Sequence, residues 1–341
     1  MSQTPFDNEK YKQLQKADIF SRIQKFDKLY IEVGGKLFDD CHAARVLPGF
    51  DPNVKMQIFS ELSNDLEVIF CVSAKHIVGG RKRSDNGLTY SEEIFRLCEC
   101  MKTQNISVCG IMINFYLNHP LITEFEQICK SKNLKTYRSF YIHQYPNNTN
   151  AIISNAGFGK NDHIKTSKKI VLVSAPGANS GKLEVCLSQL YNDKIHGIKS
   201  GYAKYETFPV HNLTLDHLVN IAYESATAEI GDFNMIDPFF KLKTKKDSVN
   251  YNRDVEAFPI LSNILKQILG EELYGSPTEM GINNVGNAIV DDKAVQKAAF
   301  KEIERRFENH KALFEKYEVS EKTYNRSHEL YEKAKRLIKN I

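Results

Sequence analysis

A short apolar run, a glycine-containing loop and an amphipathic segment follow one another between residues 168 and 190, and this order constrains the fold more than any other feature. Residues 170–173 are apolar and mostly β-branched, which is typical of a buried strand. The next residues are small or are Gly and Pro, which indicates a loop. After Gly181, apolar side chains recur at i, i+3, i+4 and i+7, which predicts a helix.

A strand, a glycine loop and a helix in this order are the context of a phosphate-binding loop. Backbone N–H groups and the positive end of the helix dipole point toward an anion there, and a lysine at the end of the loop adds charge. The candidate phosphate-binding residues are Gly177, Ser180, Gly181 and Lys182. The match to the Walker A pattern is incomplete, because Pro176 replaces the first Gly and Leu183 replaces the Ser/Thr that would hold magnesium.

An alternative interpretation of this loop stays open. The glycines would then serve only a tight turn that needs positive φ, and Lys182 would be solvated. Since the magnesium-binding hydroxyl is missing, an ordinary Walker-type ATPase is not favoured.

Strand and helix patterns alternate through the first half of the chain. The predicted strands are 28–33, 66–73, 107–115 and 135–142, and the helices between them are 53–62, 90–102 and 121–132. This alternation predicts a parallel sheet with crossover helices, a Rossmann-like α/β arrangement. At 341 residues the chain is long enough for two domains.

We place a domain boundary near residue 160, after a turn-rich stretch at 145–150. The predicted organisation is a Rossmann-like domain over 1–160, a second α/β domain with the phosphate-loop-like motif over 161–290, and a charged helical segment over 291–341. We expect a break in that last segment near residues 319–320. Its apolar stripe predicts a partner surface, and therefore a homo-oligomer.

Composition narrows the classes of partner. A formal net charge of +4 is too small to indicate nucleic acid or a membrane surface, and no apolar run is long enough to span a bilayer. The first residues lack the basic and then apolar layout of a secretion signal, so we expect a cytoplasmic protein.

Polar residues follow the first predicted strand. Gly34 and Gly35 would let backbone approach an anion or a ribose, and Lys36 and Arg45 would supply positive charge. The alternative is a polar loop whose charges pair with one another.

A second group of polar residues surrounds the strand predicted to end near Thr207. Lys204 and Glu206 alternate with Tyr205, so we expect both on one face, suited to proton transfer or to binding phosphate and metal. The alternative for Lys204 and Glu206 is a structural ion pair. Arg253 is a candidate bidentate phosphate contact.

Acidic residues are the candidate metal ligands, because no hydroxyl follows Lys182. Carboxylates beside a phosphate loop can hold Mg²⁺, as the second Walker element does. The predicted magnesium ligands are Glu206, Asp232 and Asp237, and the predicted catalytic residues are Lys204, Glu206 and Asp237. The alternative for Asp237, which precedes Pro238, is the start of a turn.

Longer blocks of sequence carry a family resemblance. They are residues 34–40, 45–50, 174–182, 186–191, 201–209, 234–239 and 250–254. With these blocks the chain resembles the bacterial proteins grouped as domain of unknown function 1846, also called uncharacterised protein family 0371. The resemblance implies a Rossmann-type domain followed by a second α/β domain, within proteins that usually have a further C-terminal part. It also implies a likeness to nucleotide-metabolising and phosphotransfer enzymes.

The leading functional hypothesis is a nucleotide- or phosphate-binding enzyme that acts by phosphoryl transfer or hydrolysis on a nucleotide-like metabolite. The rival hypothesis is a non-catalytic nucleotide-binding or assembly protein. An NAD-type oxidoreductase is less favoured, because no G-x-G-x-x-G motif opens either first helix.

Overall fold

The computed structural model describes residues 4–83, 85–206 and 209–341. Within them the strands are β1 Lys28–Val33, β2 Leu66–Ser73, β3 Ser107–Asn114, β4 Thr136–Arg138, β5 Ile170–Ser174, β6 Ser200–Tyr205, β7 Asn234–Ile236, β8 Val249–Tyr251 and β9 Gly281–Ile282. Seven of them form a parallel sheet in the order β4-β3-β2-β5-β1-β6-β9, and β7 pairs with β8 in an antiparallel ribbon. The α/β class with a parallel sheet is therefore confirmed.

The helices of the described residues connect and cover these strands. They are α1 Asn8–Ile23, α2 Cys41–Val46, α3 Val54–Glu61, α4 Ala74–Val78, α5 Tyr90–Thr103, α6 Pro120–Ser131, α7 Thr149–Ile152, α8 Lys182–Ile195, α9 Leu218–Ala226, α10 Pro238–Thr244, α11 Asn252–Leu269, α12 Pro277–Met280, α13 Asp292–Glu315 and α14 Glu321–Leu337. Local patterns set some of these bounds. α5, for example, begins with a capping box in which Thr89 and Glu92 bond each other's backbone N–H.

The sheet joins the two segments that the sequence suggested as separate domains. β5, from the segment 161–290, lies between β2 and β1, which both belong to the segment 1–160. All five residues of β5 are buried, as expected for a parallel strand covered on both faces. The sheet therefore crosses residue 160 and does not divide there.

The two faces of the sheet are covered by different helices. On one face, called the α1 face, Leu29 and Ile31 of β1 share a core with α1, α3, α5, α9 and α13. On the other, called the α8 face, Tyr30 and Tyr202 share a core with α8 and α11. Because side chains alternate along a strand, each strand residue can be assigned to a face.

The C-terminal helices α13 and α14 form a hairpin. Phe307 stacks on Tyr331 with ring centroids 4.8 Å apart, and Phe314 stacks on Tyr324 at 4.7 Å. The predicted break is confirmed, since residues 316–320 separate the two helices. The apolar stripe of α13 packs against α2, α9 and α14 of the same chain. This stripe is thus covered within the chain, which removes the reason for which we predicted an oligomer.

In the part of the chain that the structure describes, no helix combines the length and the apolar character that crossing a membrane requires.

Candidate functional site

The carboxyl ends of the parallel strands meet at one edge of the sheet, where ligands of open α/β sheets bind. The loop after β5, residues 175–181, lies at this edge and leads directly into α8. Asn114, at the end of β3, donates from Nδ2 to the Ser180 carbonyl oxygen at 2.6 Å, and the Ser180 hydroxyl donates to the Gly177 carbonyl at 3.0 Å. The neighbouring strand and the loop's own side chain therefore fix its backbone.

Packing explains both glycines of the loop. A Cβ on Gly177 would lie 2.3 Å from the Tyr90 hydroxyl, and one on Gly181 would lie 2.4 Å from Nδ2 of Asn114. Gly181 also has φ +86°, in the left-handed region. The need for glycine at both positions thus follows from close packing, with or without a ligand.

The first turn of α8 carries an anion-attracting end. Gly181 is its N-cap residue, so no side chain caps the helix, and the half-buried Lys182 is its first residue. Free N–H groups and the helix dipole favour an anion at such an end. Lys182 acts electrostatically inside the fold as well: its positive charge opposes the effect of burial, which raises the pKa of the Cys71 thiol.

Glu184, in the same first turn, is a buried carboxyl that sequence analysis missed. Its Oε1 lies 3.2 Å from the Ser139 hydroxyl, and that hydroxyl lies 2.8 Å from Oδ1 of Asn114. Burial raises the pKa of Glu184 to about 7, against hydrogen bonds from Ser139 and Asn161. Since Ser139 has one hydroxyl hydrogen, a protonated Glu184 that donates to Ser139 lets Ser139 donate to Asn114.

Lys204 lies on the α8 face and forms a buried ion pair. Its Nζ is 2.6 Å from Oδ1 of Asp254 at the start of α11, and its register partner across the sheet is Glu32 of β1. Burial lowers the pKa of Lys204, but Asp254 and Glu32 outweigh it and the net shift is upward. Lys204 therefore keeps its charge. Glu32 is held in turn by the Tyr202 hydroxyl, which donates to Oε2 at 2.6 Å.

The buried thiol of Cys186 on α8 lies within electrostatic reach of Glu32, Lys182 and Lys204. Burial and Glu32 raise the pKa of Cys186, while Lys182 and Lys204 act in the opposite direction. The candidate site at this edge comprises the loop 175–181 with Glu32, Lys182, Glu184, Lys204 and Asp254. It offers the Lys182 ammonium and a helix N-terminus for an anion, with the buried Lys204–Asp254 pair on the same face, and a carboxyl that can exchange a proton near neutral pH.

Glu206 does not share a face with Lys204, contrary to the prediction from alternation. β6 ends at Tyr205, and Glu206 has φ +50°, which turns its side chain away from the strand pattern; Thr207 lies outside the described residues. On the α1 face its Oε1 accepts from Gln15 at 3.1 Å and its Oε2 lies 2.5 Å from Nζ of Lys55. Burial raises the pKa of Glu206 well above its usual value.

The predicted magnesium ligands do not form one ligand set. Glu206 pairs with Lys55, Asp232 lies 3.0 Å from the Arg253 guanidinium, and Asp237 caps α10 by accepting from two backbone N–H groups at 3.0 Å. The second oxygen of Asp237 accepts from the Thr278 hydroxyl at 2.6 Å. Among described residues, no group of three or more His, Cys, Asp or Glu side chains is placed to hold a metal ion. Each of these three carboxylates is bound instead by its own set of neighbouring side chains or backbone N–H groups.

The predicted anion clamp after β1 is also divided. A Cβ on Gly34 would lie 2.4 Å from the Glu206 carbonyl oxygen, so this glycine serves the contact between two strand ends, and its neighbour Gly35 has φ +64°. Lys36 pairs with Asp85 at 2.5 Å, whereas Arg45 pairs with Glu302 of α13 at 2.8 Å. The two cations therefore point to different elements.

The loop 79–89 reaches the glycine loop through Arg83, which sequence analysis also missed. Arg83 binds Asp85 through two hydrogen bonds of 2.8 and 2.7 Å and donates to the Pro176 carbonyl oxygen. Through Asp85, the side chain of Lys36 is tied to the same contact. The loop after β1, the loop between α4 and α5 and the loop after β5 are thus joined.

Comparison with known proteins shows which family shares this sequence. Residues 4–335 match the family model described as "Domain of unknown function DUF1846, N-terminal". A UPF0371 protein of Streptococcus pyogenes serotype M28 and one of Streptococcus thermophilus strain LMD-9 are each 47% identical over 308 residues, which cover 90% of this chain and 62% of the relative. The chain thus spans less than two thirds of the length of these curated relatives. It belongs to the DUF1846 family, whose curated members carry the name UPF0371 protein.

Proposed function

We propose that the chain binds a phosphorylated metabolite, with a nucleotide as the leading case, and places its phosphate at the N-terminus of α8. The observation that carries this proposal is that α8 opens on a glycine with no side-chain cap, with Lys182 at its first position and a buried carboxyl two residues later. In this proposal the strand, loop and helix act as a P-loop-like anion cradle in a Rossmann-like sheet.

The side chains at this edge have distinct roles in the proposal. Lys182 and the first N–H groups of α8 hold the phosphate. Lys204, kept charged by Asp254, adds positive potential on the same face. Glu184, with a pKa of about 7, takes or gives a proton as general acid or base. The reaction supported best is phosphoryl transfer or hydrolysis.

Mg²⁺ belongs to the proposal as a companion of the phosphates. Mg²⁺ in nucleotide sites is commonly bound by one or two carboxylates together with substrate phosphates, and does not need a cage of protein ligands. Glu32 is the half-buried carboxylate at this edge, and its Oε1 is not used by the Tyr202 hydroxyl. It is the residue that we propose for contact with such an ion.

A non-catalytic nucleotide-binding protein is the second candidate. It is favoured by Leu183, which occupies the position where a Walker-type enzyme has its metal-binding hydroxyl. Such a protein would keep the anion cradle and perform no chemistry.

A ligand panel tests these proposals. Thermal unfolding would be followed with inorganic phosphate, nucleoside mono-, di- and triphosphates and NAD(H), each with and without Mg²⁺, and product formation would be assayed for every ligand that stabilises. The phosphotransfer proposal expects stabilisation and turnover by a phosphorylated ligand, with turnover reduced in Glu184→Gln. Binding without turnover favours the second candidate. Stabilisation by NAD(H) alone would overturn the phosphate proposal.

A further inference from the structure

On the α1 face, three guanidinium groups surround one buried carboxylate. Glu302 of α13 has a side chain only 1% exposed, and it accepts hydrogen bonds from Arg45 of α2 and from Arg305 and Arg306 of its own helix. The shortest N–O distances are 2.8, 2.7 and 3.1 Å, respectively. Nδ1 of His42 lies 3.0 Å from the same carboxylate.

The charges of this arginine triad (Arg45, Arg305 and Arg306) are not balanced by Glu302 alone. One negative charge faces three positive ones, and His42 adds no negative charge; burial lowers its pKa, which favours the neutral ring. The pKa of Arg306 is lowered by burial and by the two neighbouring arginines, despite its contact with Glu302.

Two other carboxylates act on this cluster, Asp40 on His42 and Glu229 on Arg306, and both are paired elsewhere. Asp40 is bound to the ammonium of Lys55 at 2.8 Å, and Glu229 lies 3.6 Å from Nε2 of His310. An excess of positive charge therefore remains beside Glu302.

Two of the three guanidiniums are partly exposed and keep an Nη1 that Glu302 does not use. The bonds from Arg45 and Arg305 to Glu302 use Nε and Nη2, and neither Nη1 makes a hydrogen bond to any described residue. The side chains of Arg45 and Arg305 are 42% and 51% exposed. Glu302 thus holds two planar guanidiniums in place, each with an Nη1 that no described residue uses. Preorganised guanidinium forks match the oxygens of a tetrahedral anion.

We propose that the arginine triad is a second anion site, which takes a phosphate- or sulfate-like oxyanion, free or as the terminal group of a metabolite. A dianion would balance the excess charge that three arginines leave beside one glutamate. The site is separate from the glycine loop: its residues belong to α2 and α13 on the α1 face, whereas Lys182 opens α8 on the other face.

Calorimetric titration with inorganic phosphate, sulfate and pyrophosphate at constant ionic strength tests this site. Lys182→Ala is the background, because it removes the other proposed anion contact without touching α2 or α13. We expect the Lys182→Ala protein to bind the oxyanion. Adding Arg45→Gln and Arg305→Gln to it should weaken this binding at least tenfold. Lys301→Gln, an exposed charge change on α13, should leave affinity within twofold.

Two further variants distinguish binding by the planar guanidinium group from binding by positive charge alone. Arg305→Gln alone, at a half-exposed position, should keep the fold and still lower affinity severalfold, and Arg305→Lys should recover only part of it, because an ammonium lacks the planar fork. Equal binding by the background and its Arg45/Arg305 variant would overturn the second site and leave the glycine-loop proposal standing. Loss of all oxyanion binding in Lys182→Ala alone would overturn it too.

Discussion

Buried carboxylates around the sheet differ in their neighbours, and those neighbours set their chemistry. Glu184 has neutral donors, Ser139 and Asn161, so burial raises its pKa to about 7. Asp254 faces the Lys204 ammonium, which lowers its pKa despite burial. The sequence pattern identified Lys204 and Glu206 as polar residues at a strand end. Their burial and their partners could not be predicted, because these depend on elements distant in sequence. Glu184 gave no sequence pattern of its own, since a glutamate in a first helical turn is ordinary.

The raised pKa of Glu184 predicts how stability changes with pH. The folded state binds this proton more tightly than the unfolded chain, so the carboxyl destabilises the fold increasingly as pH rises from its ordinary value of 4.5 to about 7. We expect wild type to lose up to about 3 kcal/mol relative to Glu184→Gln between pH 4 and pH 8. Urea unfolding of both proteins across this range measures the difference, and parallel pH profiles would contradict the assignment.

The Lys204–Asp254 pair predicts a large cost for removing one partner. Lys204→Met leaves a buried carboxylate without its ammonium, and we expect a loss of about 3–5 kcal/mol in the free energy of unfolding. Lys199→Met is the matched control, because Lys199 and Glu271 lie 3.7 Å apart with both side chains more than half exposed. The control should cost at most about 1 kcal/mol. Equal losses in the free energy of unfolding, measured by chemical denaturation, would show that the buried pair contributes no more to stability than the exposed one.

At the scale of elements, the glycine loop and α8 were predictable because their pattern is local. An apolar run, glycines and an i, i+3, i+4 stripe lie next to one another in the chain, and β5 and α8 occur where the pattern placed them. The loop's partners were not predictable. Asn114, Tyr90 and Arg83 come from β3, α5 and the loop before α5, and only the folded sheet brings them to residues 175–181.

Two glycines at opposite ends of α8 give a matched comparison. Gly181 and Gly197 both have positive φ, +86° and +75°, but only Gly181 has a neighbour, Nδ2 of Asn114, in the space of a Cβ. Both substitutions by Ala carry the strain of the left-handed region, of order 1 kcal/mol. We expect Gly181→Ala to cost about 1–3 kcal/mol more in thermal or urea unfolding. Similar costs at the two ends would mean that the loop has room to move away from Asn114.

At the scale of the whole molecule, local patterns predict most strands of the parallel sheet but not their order, and they miss β8 and β9. The turn-rich stretch before residue 160 suggested a boundary, yet β5 lies between β1 and β2. A strand whose residues are all buried is stable where both its edges and both its faces are covered. The stripe of α13 likewise finds its cover on α2, α9 and α14. The spacing of residues along the chain identifies neither the strands beside β5 nor the helices that cover α13.

One shared sheet predicts cooperative opening across residue 160. Hydrogen exchange followed by mass spectrometry should give β1, β2 and β5 the same opening free energy, since β5 cannot leave without exposing the edges of both neighbours. The exposed end of α14 provides the contrast and should exchange faster. An opening of β5 that is much cheaper than that of β1 and β2 would show two independently stable parts.

The affinity of Lys182→Ala for a phosphorylated ligand tests the central claim most directly. The ligand is the one that stabilises wild type most, and the control is Lys194→Ala, which removes the same charge from the last turn of the same helix. Calorimetric titration should show a loss of about 1.5–3 kcal/mol for Lys182→Ala, the scale of a charge-assisted hydrogen bond, and little change for the control. Lys182→Ala binding as tightly as wild type would contradict the account, and the glycines of the loop would then serve the turn alone.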